Sequence, residues 1–289
     1  MSSLVSENTV AFVKGVAAEA RRVETRCGDG HMVWHVWGDG PALALLHGGY
    51  GSWTHWIRNV GPLSRTFTVA APDLPGLGES ATPPKPHTAE GLASIVVEGL
   101  ELVFPELAGL HIVGFSFGGV LGGHVAAQLG NRVRAFTIVG SNGLGLVRQP
   151  TELRRQLEGA PEAEALAVAR HNLAALMIAD QGKIDELAVY IQAQNAPRGR
   201  VKSRRFSRAD TLARALPLIK ARIDGIWGER DATAYPHLDD RARTLRSVQP
   251  GARFEVISGA GHWVQYEAAD RFNQLLADIA GYGSTARGE

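Results

Sequence analysis

The sequence predicts an α/β protein: a mostly parallel eight-stranded sheet flanked by helices, with a helical segment inserted after the sixth strand. Three observations lead there. Short apolar runs alternate with helical stretches, the pattern of parallel crossover units. Glycine-rich turns follow several of those runs, where an open α/β sheet builds its sites. The alternation stops after Ser141 and resumes at Ile223.

Residues 1–20 are expected to be an arm, either free or a helix lying on a partner subunit. Strand-like runs Arg22–Thr25 and Met32–Trp37 flank Gly28-Asp29-Gly30, a hairpin signal. Ala42–Leu46 is continuously apolar, as a buried parallel strand must be. It runs into His47-Gly48-Gly49-Tyr50-Gly51-Ser52, with a helix start around Trp53–Trp56. Thr66–Ala71 is the next strand, residues 89–104 an amphipathic helix, and Leu110–Val113 and Arg134–Val139 two more strands. Residues 143–215 show helical periodicity (Leu166, Ala169, Leu173, Leu176, Met177) and form a cap expected to line a closed, largely apolar pocket. Strands Ile223–Trp227 and Arg253–Ile257 surround a helix at 236–247, and a terminal helix covers Val264–Ile279. The core is therefore 21–142 with 216–289, interrupted by the cap.

A chain of 289 residues, 45% of them hydrophobic, can bury a sizeable core. A net charge of +1 and a pI near 8.0 provide no global field for nucleic acid or a membrane surface. Cys27 is the one cysteine, which excludes an internal disulfide. Ala18-Glu19-Ala20 has the look of a cleavage site, but no basic stretch precedes it, and no apolar run approaches the roughly 20 residues of a membrane span. The expectation is a cytoplasmic protein, with a homo-oligomer compatible.

Chemistry concentrates in Gly114-Phe115-Ser116-Phe117-Gly118, between a strand and a small-residue helix. Gly-x-Ser-x-Gly in that setting is a nucleophile elbow, holding a serine hydroxyl at the top of a sheet. A serine nucleophile needs a base, and the base an orienting carboxylate. Downstream strand ends provide them in Gly228-Glu229-Arg230-Asp231 and Gly261-His262-Trp263. His262 is the expected base. Asp231 is preferred over Glu229, and Asp73 is expected to cap a turn. The developing oxyanion calls for the backbone N–H groups of Phe117 and Gly49. Tyr50, Phe115, Leu176, Met177 and Trp263 are candidate pocket residues. His55, His111, His124 and His171 lack metal spacing and are expected to serve packing or surface roles. Arg198–Arg208, with six cations and no acid, is expected to be a solvated cap face.

These residues resemble the α/β-hydrolase superfamily over about 20–281, through His47-Gly48-Gly49, the elbow, Asp231 and Gly261-His262. Gly261–Glu267 with Arg271-Phe272-Asn273 is similar to the meta-cleavage-product hydrolases, which cut a carbon–carbon bond in vinylogous diketo acids without a cofactor. Those enzymes usually have Asn before the nucleophile, Gly-Pro-Gly in the oxyanion loop and a cap arginine for the substrate carboxylate. Here Phe115, Tyr50-Gly51-Ser52 and Ile191 stand near those places; Arg198, Arg200 and Arg205 are the candidate substitutes for the arginine. The resemblance implies a Ser-His-Asp hydrolase needing no cofactor. A small or medium carboxylic ester is the expected substrate, and carbon–carbon bond hydrolysis is the alternative. A ligand receptor on the same fold is a third reading.

Overall fold

The computed structural model describes residues 4–156 and 159–281. Its eight strands form one sheet in the order β1-β2-β4-β3-β5-β6-β7-β8. In chain order they are β1 (Arg21–Cys27), β2 (Gly30–Trp37), β3 (Ala42–Leu46), β4 (Thr68–Pro72), β5 (Leu110–Phe115), β6 (Val133–Val139), β7 (Arg222–Gly228) and β8 (Arg253–Ile257). β2 runs antiparallel to β1 and β4, and β3 to β8 are mutually parallel. The β1–β2 hairpin turns on Gly28 and Asp29, with Gly28 at φ 60° in the first central position, where a II′ turn needs a glycine. β5 lies between β3 and β6 with every residue buried, which explains its unbroken apolar pattern.

Eleven α-helices occur among the described residues: α1 (Glu7–Ala18), α2 (Val60–Ser64), α3 (Ala89–Val103), α4 (Phe117–Leu129), α5 (Glu162–Asn172), α6 (Glu186–Asn195), α7 (Arg204–Ser207), α8 (Thr211–Ala215), α9 (Leu238–Val248), α10 (Val264–Glu267) and α11 (Ala269–Ile279). None is long and apolar enough to cross a membrane. α3 starts at Thr88, whose hydroxyl accepts the Gly91 N–H, and buries Leu92, Val96, Leu100 and Val103. α11 buries Phe272, Leu275, Leu276 and Ile279 against the other face. Each such side chain contributes about 1.5–3 kcal/mol on burial.

Between β6 and β7 the chain is helical from Glu162 onward, as the sequence pattern implies, but residues 143–156, expected to share that pattern, have no regular structure. α5 and α6 pack on each other, whereas α8 lies on α4 with Leu212 in the main core cluster. Two further expectations change. The terminal helix is two helices, broken at Ala268, whose backbone leaves the helical region. The arm is not free: it carries a helix that bonds to the rest of the chain. Ser6 N donates to Glu186 Oε1 at 3.0 Å, the Thr9 hydroxyl bonds the same carboxylate, and Trp37 Nε1 donates to the Val16 carbonyl at 2.9 Å. α1 thereby ties the cap to the core.

Candidate active site

Four parallel strands deliver the site at their carboxyl ends. β3 leads into His47–Gly49, β5 into Ser116, β7 into Asp231 and β8 into His262. The elbow is tight because Ser116 sits at φ 52° between the end of β5 and the first residue of α4. A Cβ at Gly118 would lie 2.2 Å from the Leu46 carbonyl oxygen, and one at Gly114 would lie 2.5 Å from the Gly118 carbonyl oxygen. Only glycine allows that approach. The Ser116 N–H donates to the Val139 carbonyl at 2.9 Å, and the Ser141 hydroxyl donates to the Ser116 carbonyl at 2.6 Å.

Ser116 Oγ is 3.1 Å from His262 Nε2, and His262 Nδ1 is 2.9 Å from Asp231 Oδ2. Asp231 is fully buried and His262 nearly so. The other Asp231 oxygen accepts the Thr233 N–H at 2.8 Å and its hydroxyl at 2.7 Å. Burial pushes the Asp231 carboxyl up. The His262 imidazole and the hydrogen bonds from His262 and Thr233 outweigh that, and hold it below its ordinary value. The carboxylate is thus ionised where it meets the ring. Glu229 is turned away, accepting from Gly259 N and Ser258 Oγ at 2.7 and 2.9 Å. Asp73 caps its turn as expected, accepting the Trp53 and Glu79 N–H groups, each at 2.8 Å.

Ser116 and His262 open into a cavity of about 810 Å3. Gly49, Tyr50, Phe115, Phe117, Leu176 and Met177 all line it. Gly49 has Ser203 of the cap pressed over it: a Cβ there would fall 2.2 Å from the Ser203 hydroxyl oxygen. Tyr50 and Ser116, the non-glycine residues with positive φ among the described residues, both face this space, and backbone strain of that kind gathers at functional sites.

Two expectations are corrected and a third is extended. Trp263 does not line the cavity; it is fully buried, stacked at 4.1 Å on Tyr266, with its N–H on the Met177 carbonyl and Nε1 on the His55 carbonyl. The pocket is not largely apolar. Arg148, Arg154, Arg155, Arg200, Lys202 and Arg204 line it, and no acid does among the described residues. The cations of Arg198–Arg208 are exposed to solvent as expected, but Arg200, Lys202 and Arg204 are also cavity wall, and of Arg198, Arg200 and Arg205 it is Arg200 that reaches it.

His55, for which the sequence implies a packing or surface role, does pack, but its buried ring also lines the cavity, and its Nδ1 accepts the Gly48 N–H at 3.2 Å. Burial, then the neighbouring His47 and His262, hold its pKa well below the ordinary value, so the ring is neutral. A Trp-Thr-His-Trp cluster beside a glycine loop was the available signal. Arg148 has none, because it stands alone in a stretch without periodicity. Its guanidinium pKa is lowered by burial and then by Arg208 and Arg204 nearby, with Asp231 offsetting only part of the effect.

The chain belongs to the alpha/beta hydrolase family, whose pattern it matches over residues 43–275. Among its relatives is the 2-hydroxy-6-oxononadienedioate/2-hydroxy-6-oxononatrienedioate hydrolase of Comamonas testosteroni, 27% identical over 85% of this chain and 90% of that one. The 2-hydroxy-6-oxo-6-phenylhexa-2,4-dienoate hydrolase of the same organism is 28% identical over 96% and 99%. Carboxylesterase CesB of Bacillus subtilis shares the fold, with a TM-score of 0.71, 18% identity and coverage of 96% and 99%.

Proposed function

We propose that the protein hydrolyses a carbon–carbon bond in a vinylogous diketo acid of the meta-cleavage type, through an acyl-enzyme on Ser116 and without a cofactor. The observation that carries this reading is the cavity above Ser116, walled by six cations and, among the described residues, no acid. Such a wall suits a substrate bearing a carboxylate. The names of the relatives support carbon–carbon over ester hydrolysis, reversing the order expected from the sequence.

The substrate reacts as its 2,6-dioxo tautomer, in which the 2-hydroxyl has lost its proton and C5 has gained one; Ser116 Oγ attacks the C6 ketone carbon and its own proton passes to His262 Nε2. Asp231 keeps Nδ1 protonated and stabilises the imidazolium. The Phe117 and Gly49 N–H groups receive the oxyanion, with the N-terminus of α4 adding its dipole. Collapse expels the carbon fragment as a dienol, stabilised by its own 2-oxo acid group, and His262 returns the proton. Water, deprotonated by His262, then attacks the acyl carbon and releases the second acid, regenerating Ser116.

Ester hydrolysis is the second reading. Phe115 and the buried Ile191, where carbon–carbon hydrolases usually have Asn and Arg, favour it. One experiment separates the two. Mixed with 2-hydroxy-6-oxo-6-phenylhexa-2,4-dienoate, the protein is expected to bleach the dienol absorbance, and Ser116→Ala is expected not to. Rapid turnover of p-nitrophenyl esters with no bleaching would instead assign it to ester chemistry.

A further inference from the structure

Glu267 lies five residues beyond His262, at the end of α10, and the triad does not use it. It is 5% exposed. Its carboxylate accepts three backbone N–H groups: Gly261 at 2.7 Å and Ala179 at 3.0 Å on Oε2, and Asp180 at 2.8 Å on Oε1. Gly261 immediately precedes His262. Ala179 and Asp180 follow the cap segment that carries the cavity residues Leu176 and Met177. A fourth bond closes the seam, since Trp263 N donates to the Met177 carbonyl at 2.7 Å. Lys183 Nζ reaches the Glu267 carbonyl at 3.3 Å, adding a second cap contact.

We infer that Glu267 is a positioning residue for His262: one carboxylate fixes the loop that aims the imidazole at Ser116 and docks the cap against that loop. The physical case rests on what the seam joins. The 259–263 loop is a turn at the end of β8; Gly259 and Ala260 donate to Glu229 and the Ile257 carbonyl, and the Gly261 N–H, next to His262, has Glu267 as its partner. A carboxylate taking three N–H groups makes charge-assisted bonds, stronger and more directional than neutral ones. An imidazole that must lie 3.1 Å from Ser116 Oγ and 2.9 Å from Asp231 tolerates little play in that loop. Trp263 and Gly261 bracket His262, and both bond across the seam. The cap segment and the base therefore move together.

The inference assumes that His262 serves Ser116, and the test separates the two ideas. The readouts are the rate at which a fluorophosphonate labels Ser116, and kcat and KM for p-nitrophenyl acetate, in the wild type, Glu267→Ala and Glu267→Gln. Whichever way its amide is turned, Gln presents NH2 to a backbone N–H, so it keeps part of the seam. Glu267→Ala is expected to label and turn over about 100-fold more slowly, the scale of a misplaced catalytic group. Its KM should change less than about threefold, and Glu267→Gln should recover to within about tenfold of wild type while remaining slower than it. Equal labelling rates in all three proteins, with only a lower Tm for the variants, would overturn the inference. If Glu267→Ala does not fold, Glu267→Gln decides alone: slower labelling at unchanged near-ultraviolet circular dichroism supports positioning, and a wild-type rate refutes it. A wild type unlabelled at Ser116 would remove the underlying triad reading instead.

Discussion

Ser116 Oγ, His262 and Asp231 form a chain of two hydrogen bonds of 3.1 and 2.9 Å, and each link has its own test. Replacing Ser116 by Ala is expected to lower kcat by about four powers of ten or more, leaving what oxyanion donors and binding provide. Asp231→Asn should cost about as much for a different reason. Thr233 already donates two bonds to one Asp231 oxygen, so an Asn would turn its oxygen there and set NH2 against His262 Nδ1. That selects the wrong tautomer, and steady-state kinetics on a nearly unchanged fold would record it. These three residues were legible in the sequence because chain order and strand-end placement constrain them. Asp231 could be chosen over Glu229 only by a preference, and the structure supplies the cause: Glu229 caps the Ser258–Gly259 turn. Trp263 was misread because a side chain next to the base lies in the loop, but its direction depends on a stack with Tyr266 that no local pattern reveals. Glu267 was visible only as part of a motif, since two of its three backbone partners are 87 and 88 residues away on the cap.

Among the elements, the elbow is the least tolerant. Gly118→Ala would drive a methyl against the Leu46 carbonyl, a backbone atom that cannot swing aside. Overpacking of this kind between β3 and α4 is expected to cost about 3 kcal/mol or more, read from urea unfolding. Strand positions came through the sequence well: Ala42–Leu46 and Arg253–Ile257 are found at the expected residues, and the others shift by a few at their ends. Buried parallel strands announce themselves as apolar runs, and the glycine loops mark where they stop. Helix α1 was legible as a helix-forming stretch, but its docking was not. None of its residues is fully buried; Val13, Val16 and Ala17 pack half-buried against the core, and polar contacts with Glu186 and Trp37 complete its hold. The break at Ala268 was likewise hidden, because the apolar spacing of 264–279 continues through it. It lets α10 turn Glu267 toward the cap while α11 stays on the core.

At the scale of the molecule, several histidines are folded in neutral. Burial pushes His35 and His47 down to about 4 and His111 to about 3. A histidine whose folded pKa lies below its unfolded 6.5 contributes stability that is complete above 6.5 and is lost as the pH falls through the folded value. For His47, whose Nε2 accepts the Leu74 N–H at 2.8 Å, the loss is roughly 3 kcal/mol by pH 4. Asp73 opposes it. Its burial raises the carboxyl to about 6, so it gains as the pH falls from 6 toward 3.8, offsetting about one of the histidines. The balance is a net decline, and the urea midpoint should fall between pH 7 and pH 4; a constant midpoint would contradict it. Charge at the cavity mouth predicts a second whole-molecule effect. Raising the salt to about 0.5 M should lower kcat/KM for a dienoate anion and leave a neutral p-nitrophenyl ester nearly unchanged. Net charge concealed this field, because +1 averages a cationic mouth with acids elsewhere.

Arg200 places its guanidinium on the Gly78 and Ser80 carbonyls, and its own N–H lies 2.8 Å from the Gly76 carbonyl. The wall at 198–204 is thereby built into the β4 loop as firmly as the opposite corner is held at Glu267. The stretch 148–156, which has no regular structure and supplies Arg148, Arg154 and Arg155, is fastened chiefly through the Arg154 backbone and Asn172. Substitutions in that segment are expected to alter which substrates are accepted while leaving the frame intact, as kcat/KM across a substrate panel would record. For an engineer it is the dial for substrate scope, and among homologues it is the place where diverged preferences should be written.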